Sequence, residues 1–182
     1  ACGLRRALCA LLRPLYGAEG RRLKPGLSRA AARAIAILEA RETSVTTPAP
    51  DDVVAWQALF ELQESAVAPA NERTLARYRP TLRPVQVGAL TALVVTPSAP
   101  IDPRARIVYL HGGAYTVFSA HSTLFASVPL AHELGMELWS IDYPSAPRSR
   151  YDRTVPLAQD AVRAACADGV PVLLVGDSAG GG

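Results

Sequence analysis

Ser178 stands in the pentapeptide Gly176-Asp177-Ser178-Ala179-Gly180, directly after the apolar run 170–175. A serine hydroxyl is a weak nucleophile until a base takes its proton and its side chain is held clear of the packed layers, and a sharp strand-to-helix turn provides the second condition. Flanking glycines suit such a turn. Without a Cβ, Gly176 and Gly180 let the strand and the following helix approach closely. A second motif lies upstream, Tyr109-Leu110-His111-Gly112-Gly113-Ala114-Tyr115, again at the end of an apolar run. Attack on a carbonyl carbon places negative charge on its oxygen, and N–H groups fixed in a glycine loop can meet that charge without reorganising. Gly112, Gly113 and Ala114 are the expected donors there, joined by the N–H of Ala179, the residue after the nucleophile.

The same chemistry needs a base and an acid. His121 and His132 both precede Ser178, opposite to the serine, acid, histidine order expected when the nucleophile sits on a strand-to-helix turn, so each is expected to be structural. His111 is expected to orient the glycine loop through its side chain. Asp177 adjoins Ser178 on the turn, where neighbouring side chains point apart, and is expected to support the motif rather than to serve as the acid. Acid and base are therefore expected after Gly182, and these 182 residues alone are expected to be inactive. A phosphate-cradling loop is the weaker reading, because no Lys-Ser or Lys-Thr pair follows the glycines and the G-x-G-x-x-G spacing is missing.

With both motifs in place, residues 104–182 resemble the hormone-sensitive-lipase-like branch of α/β-hydrolase esterases. That family's His-Gly-Gly-Gly motif is matched by His111-Gly112-Gly113-Ala114, and its Gly-Asp-Ser-Ala-Gly-Gly by residues 176–181. Its Asp-Tyr-Arg-Leu-Ala-Pro segment is matched at Asp142, Tyr143, Ala146 and Pro147. The chain departs from the pattern at Ala114 for the third glycine, at Pro144-Ser145 for Arg-Leu, and at Arg148 for the usual Glu. The resemblance implies an α/β-hydrolase fold with a mostly parallel sheet flanked by helices, truncated after the nucleophile elbow. It further implies a serine esterase acting on small or medium carboxylic esters, with an N-terminal helical cap over the site. Residues 1–80 then form a basic leader and cap segment, and 81–182 the first part of the catalytic domain. Two other classes stay open: a non-catalytic small-molecule binder on the same scaffold, and a protein recruited to a membrane or nucleic acid by its basic leader.

Composition agrees with a globular enzyme, since 49% hydrophobic and 19% charged residues can bury a core and are not the balance of a disordered chain. The net charge of +3 conceals an asymmetry, with eight basic residues against Glu19 alone in residues 1–33. Such a leader is expected to be a solvated arm, without a nucleic-acid partner. Its apolar stretch at 7–12 is too short for a secretory signal, and no run reaches the length of a membrane span. Cys2, Cys9 and Cys166 form no C-x-x-C pair, which points to reduced thiols in a cytoplasmic protein. No cofactor and no metal are expected; the expected partner is a small ester.

The elements that must position these motifs follow from periodicity. Ser28 is the expected cap of a helix over 29–41, and Asp51 or Asp52 opens another to about Glu64. The stripe of Val53, Trp56 and Phe60 on that helix is expected to pack into the core rather than to form an acyl-binding cap. Strands are expected at 85–87 and 89–95. From Ile107 the order becomes strand, loop, helix (122–134), strand (137–141), helix (capped by Thr154, to about 167) and a fully buried strand (170–175). This alternation implies a parallel sheet covered by helices, with reactive groups beyond the carboxyl ends of the strands.

Overall fold

The computed structural model describes residues 46–182 together with Ser28 and Ile35. The expected helix over 29–41 and the basic leader lie outside the described residues, apart from Ile35, which is helical and exposed. The chain divides into two units between Pro48 and Ala49, and the second unit holds every element described below.

Helix α1 spans Val53–Tyr78 and is capped by Asp52, whose side chain accepts the Ala55 N–H at 2.9 Å. It continues well past the expected end at Glu64. Pro69 removes a single donor, and the residues around it (Ala66, Ala68, Ala70, Glu72, Leu75) are mostly strong helix formers. Arg79 stops the helix in a left-handed conformation, its N–H bonded to Leu75 O, ahead of Pro80. The core-packing expectation for the Val53 stripe is not met: α1 has no buried residue, and Val53 is 58% exposed. It is the far end of the helix, through Leu75 and Tyr78, that packs against the core.

Strands β1 (Thr81–Val87) and β2 (Leu90–Thr96) form a hairpin closed by Gly88-Ala89, with Gly88 at φ +60, as a tight two-residue turn requires. β1 begins four residues earlier than expected, because Pro84 can pair with Leu93 on an edge strand whose outer side needs no donor. β3 (Arg106–Leu110), α2 (Leu124–Leu134), β4 (Glu137–Ile141), α3 (Tyr151–Ala165) and β5 (Val172–Gly176) complete the second unit up to a short 3-10 helix, Ser178–Gly181. The sheet order is β1-β2-β4-β3-β5, with β3 parallel to both β4 and β5 and β2 antiparallel to its neighbours.

Alternation along β3 assigns its residues to two cores. Ile107 and Tyr109 meet Leu124, Val128 and Ala131 of α2, whereas Val108 meets Ala161 and Ala165 of α3. The helices thus cover opposite faces: one crossover runs from β3 out to β4, and the next returns from β4 past β3 to β5. A crevice at the carboxyl end of β3 follows from that reversal.

Three local expectations change. Thr154 is not a cap; it lies inside α3, where its Oγ1 donates to Pro144 O at 2.9 Å, and Arg150 occupies the cap position. β5 is an edge strand among the described residues, paired with β3 alone, so Leu173 and Leu174 are exposed rather than buried. Its start shifts to Val172 because Pro171 has no N–H to give the ladder, while its carbonyl accepts from Arg106 N at 3.0 Å. Arg106 closes this end of the sheet: its guanidinium donates to Ala165 O, pairs with Asp168 and stacks 4.3 Å from the Trp139 ring.

The first turn of α2 is capped from another helix. Thr123 makes no side-chain cap, but Asn71 of α1 accepts the Phe125 N–H at 2.8 Å and donates to Ser122 O at 2.8 Å. Loss of a side-chain cap costs about 0.5–2 kcal/mol. Asn71→Ala is therefore expected to lower the unfolding free energy by about 1–2 kcal/mol, measured as a lower urea midpoint at constant m-value; an unchanged midpoint would contradict the capping role.

Candidate active site

Register brings the two motifs together. In the parallel ladder Leu110 pairs with Gly176, so β3 and β5 end side by side and release their loops at the same height. The Asp177 N–H donates to Leu110 O at 3.3 Å, and Gly180 N–H returns to Asp177 O at 2.8 Å. Ser178 sits between these bonds at φ +49, a left-handed conformation that a serine adopts only under constraint. The constraint is backbone contact: a Cβ on Gly176 would overlap the Gly180 carbonyl, and one on Gly180 would overlap the Leu110 carbonyl. Glycine at both places is a packing requirement, and Ser178 is left exposed at the turn.

The loop after β3 is held by a buried polar network. Asp177 Oδ1 accepts the Gly112 N–H at 2.9 Å and the Tyr109 hydroxyl. His111 Nδ1 lies 2.8 Å from Gly112 O; since a carbonyl only accepts, Nδ1 carries the hydrogen and Nε2 is bare. That Nε2 is buried with no partner among the described residues. The imidazole is 1% exposed and stacks on the Tyr143 ring at 4.3 Å and 6°, while the Tyr143 hydroxyl donates to His111 O. Burial pulls the His111 pKa down, outweighing the Gly112 carbonyl and the charges of Asp142, Asp177 and Glu64. Burial, reinforced by Asp177, pushes the Tyr109 phenol up; burial, with Tyr115 and Asp177, does the same for Tyr143. Both tyrosines stay protonated donors and the histidine stays neutral.

This network revises the donor set. The Gly112 N–H is committed to Asp177, so Gly112 is not an open donor. Gly113 and Ala114 make no N–H hydrogen bond among the described residues, and Ala179 lies in the first turn of the 3-10 helix, where an N–H has no partner within the helix. Gly113 (φ +124), Ala114 (φ +53) and Tyr115 (φ +58) form a tight turn closed by the Thr116 and Val117 N–H groups on Gly113 O. Ala114 thus carries the positive φ that a third glycine would adopt without strain, at a cost on the order of 1–3 kcal/mol.

The remaining expected residues fall where their chemistry suggests. His132 stacks edge-on against Tyr78 at 4.9 Å, His121 is exposed, and neither takes part in the network around Gly112. Asp142 Oδ1 accepts the Ala120 N–H, tying the end of β4 to the loop before α2. Arg148 stacks 4.6 Å from the Phe60 ring and donates to Gln57, so the loop after β4 touches α1. Sequence reasoning gave no role to Tyr109, although its position two residues before His111 on a strand was a usable signal, since alternate residues share a face. A cavity of about 340 Å³ lies between α3 and β5, but Ser178, Gly113 and Ala114 do not line it. Among the described residues no cluster of His, Cys, Asp and Glu could hold a metal ion, and no helix is long and apolar enough to cross a membrane.

Residues 107–182 match the family model for the alpha/beta hydrolase fold. The chain has the α/β-hydrolase fold. Solved structures similar to this chain include a hormone-sensitive lipase from a metagenome library, at TM-score 0.63 and 22% identity over 80% of this chain and 46% of the other. A hormone-sensitive-lipase homologue, also from a metagenome library, gives TM-score 0.53 and 25% identity over 75% and 49%. The esterase of the archaeon Pyrobaculum calidifontis gives 0.58 and 24% over 69% and 44%. The chain therefore spans about half the length of the solved chains it matches. No curated protein matches it.

The neutral, buried His111 has a consequence for acid stability. Its pKa in the folded state lies below the ordinary 6.5, so as pH falls through that value the unfolded chain takes up a proton that the folded one refuses. Stability from this group is present above pH 6.5 and is lost as pH drops towards the folded-state value. Thermal midpoints measured from pH 7 to pH 5 should fall less steeply in His111→Asn than in the unsubstituted protein; equal slopes would contradict a buried neutral imidazole.

Proposed function

We propose that this chain supplies the nucleophile and oxyanion donors of a serine carboxylic-ester hydrolase that works through an acyl-enzyme on small or medium esters. One observation carries the reading: Ser178 is held at positive φ on a glycine-walled turn, tied through Asp177 to a loop with uncommitted N–H groups. Solved relatives described as esterases and a hormone-sensitive lipase support the reaction class.

In this reading Ser178 Oγ attacks the ester carbonyl carbon and its proton passes to a general base. The carbonyl oxygen becomes negative and takes hydrogen bonds from Gly113, Ala114 and Ala179. Collapse of the tetrahedral species breaks the ester C–O bond, and the base returns the proton to the departing alcohol. Water then attacks the Ser178 ester by the same steps and releases the acid. His111 is no candidate for the base, being buried and donating to Gly112 O; Asp177 is no candidate for the acid, its Oδ1 being taken up by Tyr109 and Gly112. We assign base and acid to residues other than these 182, which span about half the length of the matched structures. Cys166, free and exposed, accords with a reducing, cytoplasmic setting.

The protein expressed from its complete reading frame should hydrolyse p-nitrophenyl esters of short acyl chains, and Ser178→Ala should leave only a residual rate of about 10³–10⁴ over water. Undiminished turnover in that variant would refute the assignment. The 182-residue chain purified by itself should show neither burst nor sustained turnover. Sustained release of p-nitrophenol from it would return His121 or His132 to consideration as the base.

A further inference from the structure

The Asp177 carboxylate touches both halves of the site. It belongs to the residue before Ser178, yet its Oδ1 accepts from Gly112 in the other loop and from Tyr109 on β3. Nothing separates it from the loop, since a Cβ added to Gly112 would run into this carboxylate. We propose that Asp177 is a positioning residue that locks the oxyanion loop to the nucleophile turn, so that the Gly113 and Ala114 N–H groups keep their direction relative to Ser178. This inference rests on the esterase reading above.

The direction follows from peptide planarity. The Gly112–Gly113 bond is trans, so the Gly113 N–H points opposite to Gly112 O. His111 Nδ1–H holds that carbonyl, and Asp177 holds the N–H on the other side of the same residue. Gly112 is thereby clamped at both of its polar groups, and the next N–H along has one available direction. Gly113, Ala114 and Tyr115 then follow in succession at positive φ, a conformation that two of these residues do not favour by themselves. Without the Gly112 clamp this stretch is free to relax. The Tyr109 hydroxyl, donating to the same oxygen, restrains the carboxylate's rotation and points it at the loop.

The test uses the protein from its complete reading frame. Asp177→Ala removes the acceptor, Asp177→Asn keeps a carbonyl oxygen able to accept the Gly112 N–H, and Tyr109→Phe removes only the restraint on the carboxylate. Loss of properly directed oxyanion donors costs on the order of 10²–10³ in turnover, so Asp177→Ala should lose that much in kcat with KM little changed. Asp177→Asn should recover to within about tenfold of the unsubstituted protein, with Tyr109→Phe between them. Affinity for a trifluoromethyl ketone, which forms the tetrahedral oxyanion on Ser178, should fall in the same proportion as kcat/KM. A purely structural role would not produce that proportionality. Hydrogen exchange at the Gly112 amide gives a readout independent of turnover: protection should be lost in Asp177→Ala and kept in Asp177→Asn. Full turnover and ketone affinity in Asp177→Ala, or unchanged Gly112 protection, overturns the positioning role alone. Absence of hydrolysis in the unsubstituted protein overturns the esterase reading and this inference with it.

Discussion

The parallel pairing of β3 with β5 is the constraint on which the site depends. Leu110 opposite Gly176 sets both loops at one height, and the Leu110 carbonyl then serves twice, accepting from Asp177 and forming the wall against which Gly180 lies. A slip of one residue would exchange the faces of β3, sending Tyr109 to the α3 side and away from Asp177. The pairing is stabilised from the far end as well. Arg106 bridges Ala165 and Asp168, the segment through which the chain turns from α3 back towards β5, and its ring contact with Trp139 extends the anchor to β4.

Around that frame, burial and hydrogen bonding act on protonation in one consistent direction. The imidazole of His111 is neutral, the phenols of Tyr109 and Tyr143 keep their protons, and Asp177 Oδ1 receives two donors. The network therefore orders the loop with neutral groups gathered around a single carboxylate. Strain at Ser178, Ala114 and Tyr115 is concentrated on the same two loops, where the surrounding bonds over-determine the backbone.

Helix α1 is linked to this frame at both ends of its length. Near its carboxyl end Asn71 caps α2 and Tyr78 meets His132; near its amino end Gln57 and Phe60 receive Arg148 from the loop after β4. Arg148 is a departure from the related motif, and its partner here is an aromatic face and an amide rather than an ion pair. Apolar packing of the helix is confined to its far end at Leu75 and Tyr78, while its amino end is held by polar and cation–aromatic contacts, so the stripe at Val53 does not act as core.

Much of this was legible in the chain because the signals were local. Glycines flanking a serine after an apolar run, a second glycine loop after another, and alternating strand and helix periods specify the order of elements and the presence of both motifs; β4 coincides with its expected span, 137–141. Elements whose ends depend on distant partners were less legible: α1 overran Glu64 because its later turns pack on α2, and Thr154 turned its hydroxyl to Pro144 instead of capping. Which loop N–H groups remain unbonded is visible only in three dimensions. Sequence places Gly112, Gly113 and Ala114 side by side as equals, while the fold brings Asp177 to Gly112 across 65 residues and leaves the other two open. Spacing along a chain determines which backbone groups exist and how the local backbone can bend; which of them is already satisfied depends on what a neighbouring strand delivers, and that is decided by tertiary pairing.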